Sequence, residues 1–430
     1  MQRIPIRNRR SLEERPDFFV DRQAEWLEIV WVAMIVAALT LNLVIGPLTP
    51  LTFIAALPAL VVLRWEQLPA ALGRCWPLLT LPGFALMSAA WSSVPGTTLY
   101  YGSLYLLTVL NGIAIGAVMR GSAMIKGLFI GFAVYALLTV ISGQWTSWNG
   151  PGGIAFRGLA GSKNSAGDTA GLTIIVACVM LAWAAKQRSI GYASIAIATL
   201  PLALFALWFS RATGALLATV IATVMLAILM ASRTVPTQAR TGIAIAAIMT
   251  LLLAMLLSEF WLPALFDLIL AESGKDAGLT GRADLWRKAD QLISDKPWLG
   301  LGYHAFWLHN NLDAEYLWRL MGIGGRMGFN FHNTFREILV HLGYVGLVLY
   351  GVVAVAGCIK LIAKTVISAD LPSILMTTLM VFMLPKLAFE VIGFGDIHFS
   401  TVIAFAILAS GFSARFERRS GDQRRFRSVS

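Results

Sequence analysis

Apolar runs cut by short polar turns recur along almost the whole chain. A membrane helix needs about 20 apolar residues, and the stretches near 26–45, 49–63, 76–91, 98–118, 123–142, 167–185, 190–209, 212–231, 241–259, 335–359, 372–392 and 397–413 have that character. The second and third are short and carry Pro, so the pattern predicts about twelve transmembrane helices, with ten to twelve as the range. The polar segments then divide the chain into a basic N-terminus (1–25), nine helices (26–259) with an outer loop at 143–166, a long outer loop (260–334), three further helices (335–413) and a basic tail (414–430). The expected fold class is an all-α polytopic membrane protein.

Composition supports this. Of 430 residues 57% are hydrophobic and 13% are charged, more apolar surface than one soluble core hides. That excludes disordered, fibrous and small secreted classes. No A-x-A-like cleavage site follows the first apolar run, which is therefore expected to be a retained helix. Cys75, Cys178 and Cys358 lie far apart, without metal-ligand spacing, and are expected to be small core residues.

The net charge of +11 would hint at nucleic acid on a soluble protein. Here it fits topology and anionic lipid instead, and no nucleic-acid partner is expected. With both termini cytoplasmic, every inside segment carries at least two cations: Arg64 and Arg74, Arg120 and Lys126, Lys186 and Arg188, Arg233 and Arg240, Lys360 and Lys364, besides the two termini. The short outer loops near 46–48, 92–97 and 393–396 carry no Lys or Arg. The remaining outer cations are concentrated: Arg157 and Lys163 in one loop, Arg211 in a very tight turn, and Lys275, Arg282, Arg287, Lys288, Lys296, Arg319, Arg326 and Arg336 in or just beyond the longest loop. Cations kept outside oppose the positive-inside preference, so an anionic ligand is expected on that face.

Five segments could carry chemistry. FRGLAGSKNSAGDTAGL (156–172) leads Gly-rich backbone into a helix start, an anion site with Arg157 and Lys163 beside it; an ordinary Gly-rich loop also fits. In WFSRATGALLA (208–218) Arg211 interrupts two apolar helices. It is either functional or snorkelling to the interface. In 279–307, Leu285, Trp286, Ala289, Leu292 and Ile293 share one face of a helix with Thr280 as its N-cap, ending before Pro297. Arg282 would sit on its first turn among free N–H groups, well placed for phosphate. The amphipathic helix would lie on the membrane. His332 and Asn333 precede the next helix at the outer surface, where a neutral His can take a proton from a hydroxyl. Arg336 and Glu337 read as a surface pair. Finally Lys386 and Glu390, four apart, read as an ion pair on one helix face, with Glu390 a minor site candidate. No metal site is expected from the spacing of His304, His309 and His332.

Four of these motifs in order, RGLAGSKNSAG, FSRATGALLA, TGRADLW…PWLGLGYHAFW and HN…LVHLGYVGL, resemble the O-antigen ligase and polysaccharide polymerase superfamily over roughly 150–350. The TGR-to-FW stretch is most similar to its exopolysaccharide polymerase branch. The resemblance implies a fold akin to the membrane glycosyltransferases of the GT-C class in the bacterial inner membrane, with the active site facing the periplasm. It implies a polyprenyl-diphosphate-linked glycan as donor and a glycan or lipid A core as acceptor. Catalysis would need no metal or other cofactor. A flippase and a chain-length regulator are further expected partners. Carried over by motif, the catalytic residues are Arg211, Arg282 and His332, with Arg157, Lys163, Asn164 and Asn333 binding the donor diphosphate. The segment 310–328 departs from the pattern and bears on acceptor identity. Within the family, polymerase and ligase activities compete. A secondary transporter, from another class, would instead show midplane charges and two related halves.

Overall fold

The computed structural model describes residues 16–147, 153–257, 282–324 and 329–413. The expectations for Lys275, Thr280, Arg326, the tail from 414 and residues 1–15 of the basic N-terminus lie outside these residues. Among the described residues each apolar run lies largely in helix, because a chain in hydrocarbon must satisfy its backbone polar groups internally. The helices are α1 Pro16–Thr40, α2 Asn42–Ile45, α3 Leu48–Arg64, α4 Leu68–Cys75, α5 Thr80–Met87, α6 Pro95–Ile113, α7 Gly121–Ser142, α8 Lys163–Gln187, α9 Ile190–Phe209, α10 Thr213–Ser232, α11 Thr237–Leu256, α12 Arg282–Asp295, α13 Leu312–Leu320, α14 Thr334–Ser368, α15 Leu371–Met383 and α16 Phe399–Phe412. Among the described residues seven helices are long and apolar enough to cross a membrane. There is an eighth if α3 and the Leu68–Ala90 stretch, bent by 117° from it, form one crossing.

Two expectations need correction. The chain is not wholly helical: β1 Trp145–Ser147 and β2 Ile154–Phe156 pair antiparallel in the 143–166 loop, whose β-favouring Trp, Ile and Phe bring edge and ring together. The run 372–392 is not one helix either. Pro385 tightens the chain into a 3₁₀ turn over Leu384–Ala388, and Glu390 lies beyond the helix, since Pro cannot continue the i→i−4 ladder.

Many large apolar side chains face outward, among them Val62, Ile190, Val352 and Ile359, as a lipid-contacting surface requires. The most enclosed span is α8, with 72% of its apolar window buried against 28% for α9 and α10. Gly167 lets it sit against the α9–α10 turn, since a Cβ there would lie 2.6 Å from Ala212 Cβ. The loop after α12 is fixed at a break in α14: Gly343 has φ 64°, and Tyr344 N–H donates to the Pro297 carbonyl at 2.8 Å. Through these anchors the segments near 92–98, 143–147, 153–163, 210–212, 282–324, 329–334 and 389–398 converge at one end of the bundle. The opposite end is tied by Glu25, Glu28, Arg64, Arg120 and Lys126.

Candidate functional site: a carboxylate among three helix starts

Three helix N-termini meet at Glu390. Asn164, second residue of α8, donates from Nδ2 to Glu390 Oε1 at 3.4 Å. Arg282, first residue of α12, donates from Nη2 to the same oxygen at 3.2 Å. His332, two residues before α14, places Nδ1 3.2 Å from Glu390 Oε2. Helix starts present unpaired N–H groups and a partial positive charge, so the carboxylate occupies a place built for an anion. Burial raises the Glu390 pKa, but the His332 hydrogen bond and the charges of His332, Arg282 and Lys386 outweigh it and hold the carboxyl down to about 2. An ionised carboxylate only accepts. The proton of the shared hydrogen bond therefore lies on His332 Nδ1, and whenever the ring sheds its second proton Nε2 carries a free lone pair. His332 adopts φ 49°, a conformation uncommon for a non-Gly residue and found disproportionately at functional sites. Its neighbour Asn330 holds it there, Oδ1 accepting from His332 N–H at 2.8 Å.

Arg211 also has positive φ, 52°, because Ser210, Arg211 and Ala212 close the connection between α9 and α10 without room for a longer loop. Its side chain is exposed, and no acceptor among the described residues is hydrogen-bonded to its guanidinium. Its carbonyl accepts from Lys163 Nζ at 3.1 Å. Since Asn164 follows Lys163, the start of α8 joins the Arg211 turn to the Glu390 cluster. Arg282, His332 and Asn164 thus share one carboxylate, and Arg211 and Lys163 adjoin them.

The other candidates are placed differently. Arg157 donates from Nη2 to Gln144 Oε1 at 2.8 Å and so fastens the base of the β1–β2 hairpin. Asn333 is the N-cap of α14: its Oδ1 accepts from Arg336 N–H and its Nδ2 donates to the Ala388 carbonyl at 3.0 Å. Both polar atoms of its side chain are used in holding His332 and the 388–390 turn together. The expected surface pair of Arg336 and Glu337 does not form. Arg336 makes a two-pronged contact with Asp290, while Glu337 is buried, accepting from Phe331 N–H at 2.7 Å and lying 3.2 Å from His341 Nε2. The Lys386–Glu390 pair is replaced as well. Lys386 bonds Asp168 on α8, because the 3₁₀ turn swings Glu390 off that face.

Sequence reasoning left Glu390 in a minor place. The signals that mark it were Pro385 before it and Gly393 and Gly395 after it, which end the helix and free the carboxylate to turn toward the loops. Among the described residues no three of His, Cys, Asp and Glu come together as metal ligands do; Glu390 faces cations.

Comparison with known proteins agrees with the motifs. Residues 198–351 match the family described as O-antigen ligase, a span that includes Arg211, Arg282 and His332. The exopolysaccharide production protein ExoQ of Rhizobium meliloti (strain 1021) is 30% identical over 275 residues, 63% of this chain. The match spans 62% of the rhizobial protein's length. With four motifs in order on converging segments, the chain resembles the O-antigen ligase and polysaccharide polymerase superfamily, and its exopolysaccharide branch in particular.

Proposed function

We propose that the protein is an inner-membrane glycosyltransferase that polymerises lipid-linked oligosaccharide repeat units on the periplasmic face. Both termini are then cytoplasmic, the 260–334 segment is the long periplasmic loop, and the architecture is GT-C-like. The observation that carries this reading is the single carboxylate shared by a histidine, an arginine and three helix starts, beside a second, exposed arginine.

The donor is a glycan on a polyprenyl diphosphate. An acceptor hydroxyl attacks the anomeric carbon, the new C–O bond forms, and the bond from that carbon to the phosphate oxygen breaks. His332 Nε2 takes the hydroxyl proton. Glu390 keeps Nδ1–H oriented and stabilises the imidazolium that results. The departing diphosphate gains negative charge, which Arg211 and Arg282 stabilise more in the transition state than in the ground state. Without donor, Glu390 holds Arg282 at the site; with donor, the guanidinium passes to the diphosphate and the carboxylate is left to His332. The charged side chains and the activated donor supply what the reaction needs, with no metal or cofactor. Lys163 and Asn164 line the diphosphate at the start of α8. Arg157 and Asn333 support this site by shaping its loops. A flippase delivers the donor and a chain-length regulator acts on the product.

The family match, described as O-antigen ligase, favours a second reading, a ligase that transfers finished glycan to lipid A core or to a protein. The two separate in a deletion strain. Loss of a polymerase leaves single lipid-linked repeat units, whereas loss of a ligase leaves long lipid-linked chains. Complementation with His332→Ala should restore neither polymer nor ligation, although the protein is inserted normally. Normal polymer from that variant rejects the mechanism, and an unchanged glycan profile in the deletion strain rejects the function, leaving a transporter as the reading to pursue.

A further inference from the structure

The 389–398 loop carries a second histidine–carboxylate pair. His304 Nε2 lies 2.9 Å from Asp396 Oδ1, six residues on from Glu390. Like His332, His304 has a left-handed backbone, φ 58°. Its ring is clamped on several sides. Tyr101 stacks on it with centroids 4.1 Å apart and planes 13° from parallel, Tyr303 meets it edge-on, and the backbone N–H of His304 donates to His341 Nδ1 at 2.8 Å. Asp396 is therefore held in a fixed orientation through one oxygen. Its second oxygen has no hydrogen bond from any described residue, and the side chain retains 17% of its surface.

His398 interacts electrostatically with the carboxylates of both pairs, Glu390 and Asp396. It caps α16 through Nδ1, which accepts from Ser400 N–H at 3.3 Å and lies 2.7 Å from Ser400 Oγ. Ser400 Oγ, whose one proton then points to Nδ1, also stands 3.2 Å from the Val391 carbonyl, so the cap adjoins the residue next to Glu390. A ring nitrogen that accepts a backbone N–H carries no proton, so the imidazole is neutral with its proton on Nε2. The side chain is exposed, and Glu390, Asp396 and Lys386 all act on it electrostatically. A fixed acceptor and a fixed neutral donor thus stand on the same loop as the proposed base's partner. Neither is used by the diphosphate chemistry, and neither carries the positive charge that a phosphate would require. Paired acceptors and neutral donors suit vicinal hydroxyls.

We propose that Asp396, oriented by His304, and His398 form the subsite that holds the acceptor sugar. Asp396 Oδ2 accepts from glycan hydroxyls and His398 Nε2–H donates to a glycan oxygen. This rests on the glycosyltransferase reading of Glu390, His332 and Arg282.

The test uses the full-length protein in lipid nanodiscs and two probes: undecaprenyl diphosphate, and single repeat units released from the host's own polymer. Asp396→Asn removes the acceptor charge, and His398→Asn keeps a residue able to cap α16 while removing the imidazole. Each should weaken repeat-unit binding about tenfold or more, the scale of one hydrogen bond involving a charged or fixed partner, with undecaprenyl diphosphate binding unchanged. Arg282→Ala should do the reverse. Unchanged repeat-unit affinity in both variants overturns the subsite, as does equal loss of both probes. A wild-type protein that binds repeat units but not undecaprenyl diphosphate sinks the proposed donor chemistry instead, and one that binds neither sinks both.

Discussion

The two ends of the bundle use the same ingredients to opposite ends. At one, Glu28 gathers Arg64 and Arg120, accepting from Arg120 N–H at 2.9 Å, with only 1% of its side chain exposed. At the other, Glu390 gathers Arg282 and His332 and keeps 22%. The first knot is closed: its cations meet a carboxylate that nothing else can reach. The second is open, and adjoins Arg211, an exposed arginine with φ 52°. An ion pair alone therefore says little about function, and buried pairs are as readily structural. What separates the two is access, strained backbone at the residues that carry charge, and helix starts aimed at one point.

The sharpest way to break the contrast is to remove a member of each knot. His332→Ala should lower transfer by about 10²–10⁴-fold, the usual contribution of a positioned base, with protein level unchanged. Glu28→Ala should leave transfer per folded molecule intact but lower stability by roughly 1–3 kcal/mol, because it takes the shared acceptor from the half-buried Arg64 and Arg120. The measurements are polymer synthesis in membranes normalised to protein, and thermal unfolding in detergent. If Glu28→Ala abolished specific activity while His332→Ala did not, the assignment of the two ends would be reversed.

Arg211 sharpens it next. Arg211→Ala should lower transfer by about 10²–10³-fold, comparable to losing one preorganised transition-state donor, and Arg211→Lys should recover part, since the charge returns without the planar fork. A neutral outcome for Arg211→Ala would reduce it to a snorkelling interfacial residue. Glu390→Gln comes after. The amide still reaches His332 and Arg282 but without charge, so a loss of about tenfold to 100-fold, the scale seen for residues that orient another, is expected. It should fall on turnover more than on apparent donor affinity.

How much of this was legible in the sequence depends on the kind of signal. Arg211, Arg282 and His332 stood out because cations and a histidine on an outer face work against topology and solvation preferences, and the fold does bring their segments to one end. The helices stood out because hydrocarbon leaves a chain few alternatives. What periodicity could not show was pairing. Lys386 and Glu390 have ideal helical spacing, and Arg336 and Glu337 are adjacent, yet all four find other partners: Asp168, Arg282 with His332, Asp290, and His341. Those choices depend on where Pro385 tightens the chain and where Gly343 breaks α14, events that set directions in space and leave hydropathy untouched. The β1–β2 hairpin escaped for a related reason, three-residue strands being too short for an alternation to register.

The smallest expected effect concerns pH, and it tests whether Glu390 is a fixed charge. Its folded pKa, about 2, lies below the ordinary 4.5. A depressed carboxylate contributes stability that is fully present above about 4.5 and is lost as pH falls toward 2. Between pH 5 and 8 the carboxylate is therefore ionised throughout, and infrared difference spectra across that range should show no protonated-carboxyl band that Glu390→Gln abolishes. Such a band growing in as pH drops from 7 to 5 would mean that Glu390 takes up a proton in the working range. The proton on His332 Nδ1 would then no longer be fixed by its partner, and the open end of the bundle would owe its chemistry to a titrating carboxyl and not to a permanently charged one.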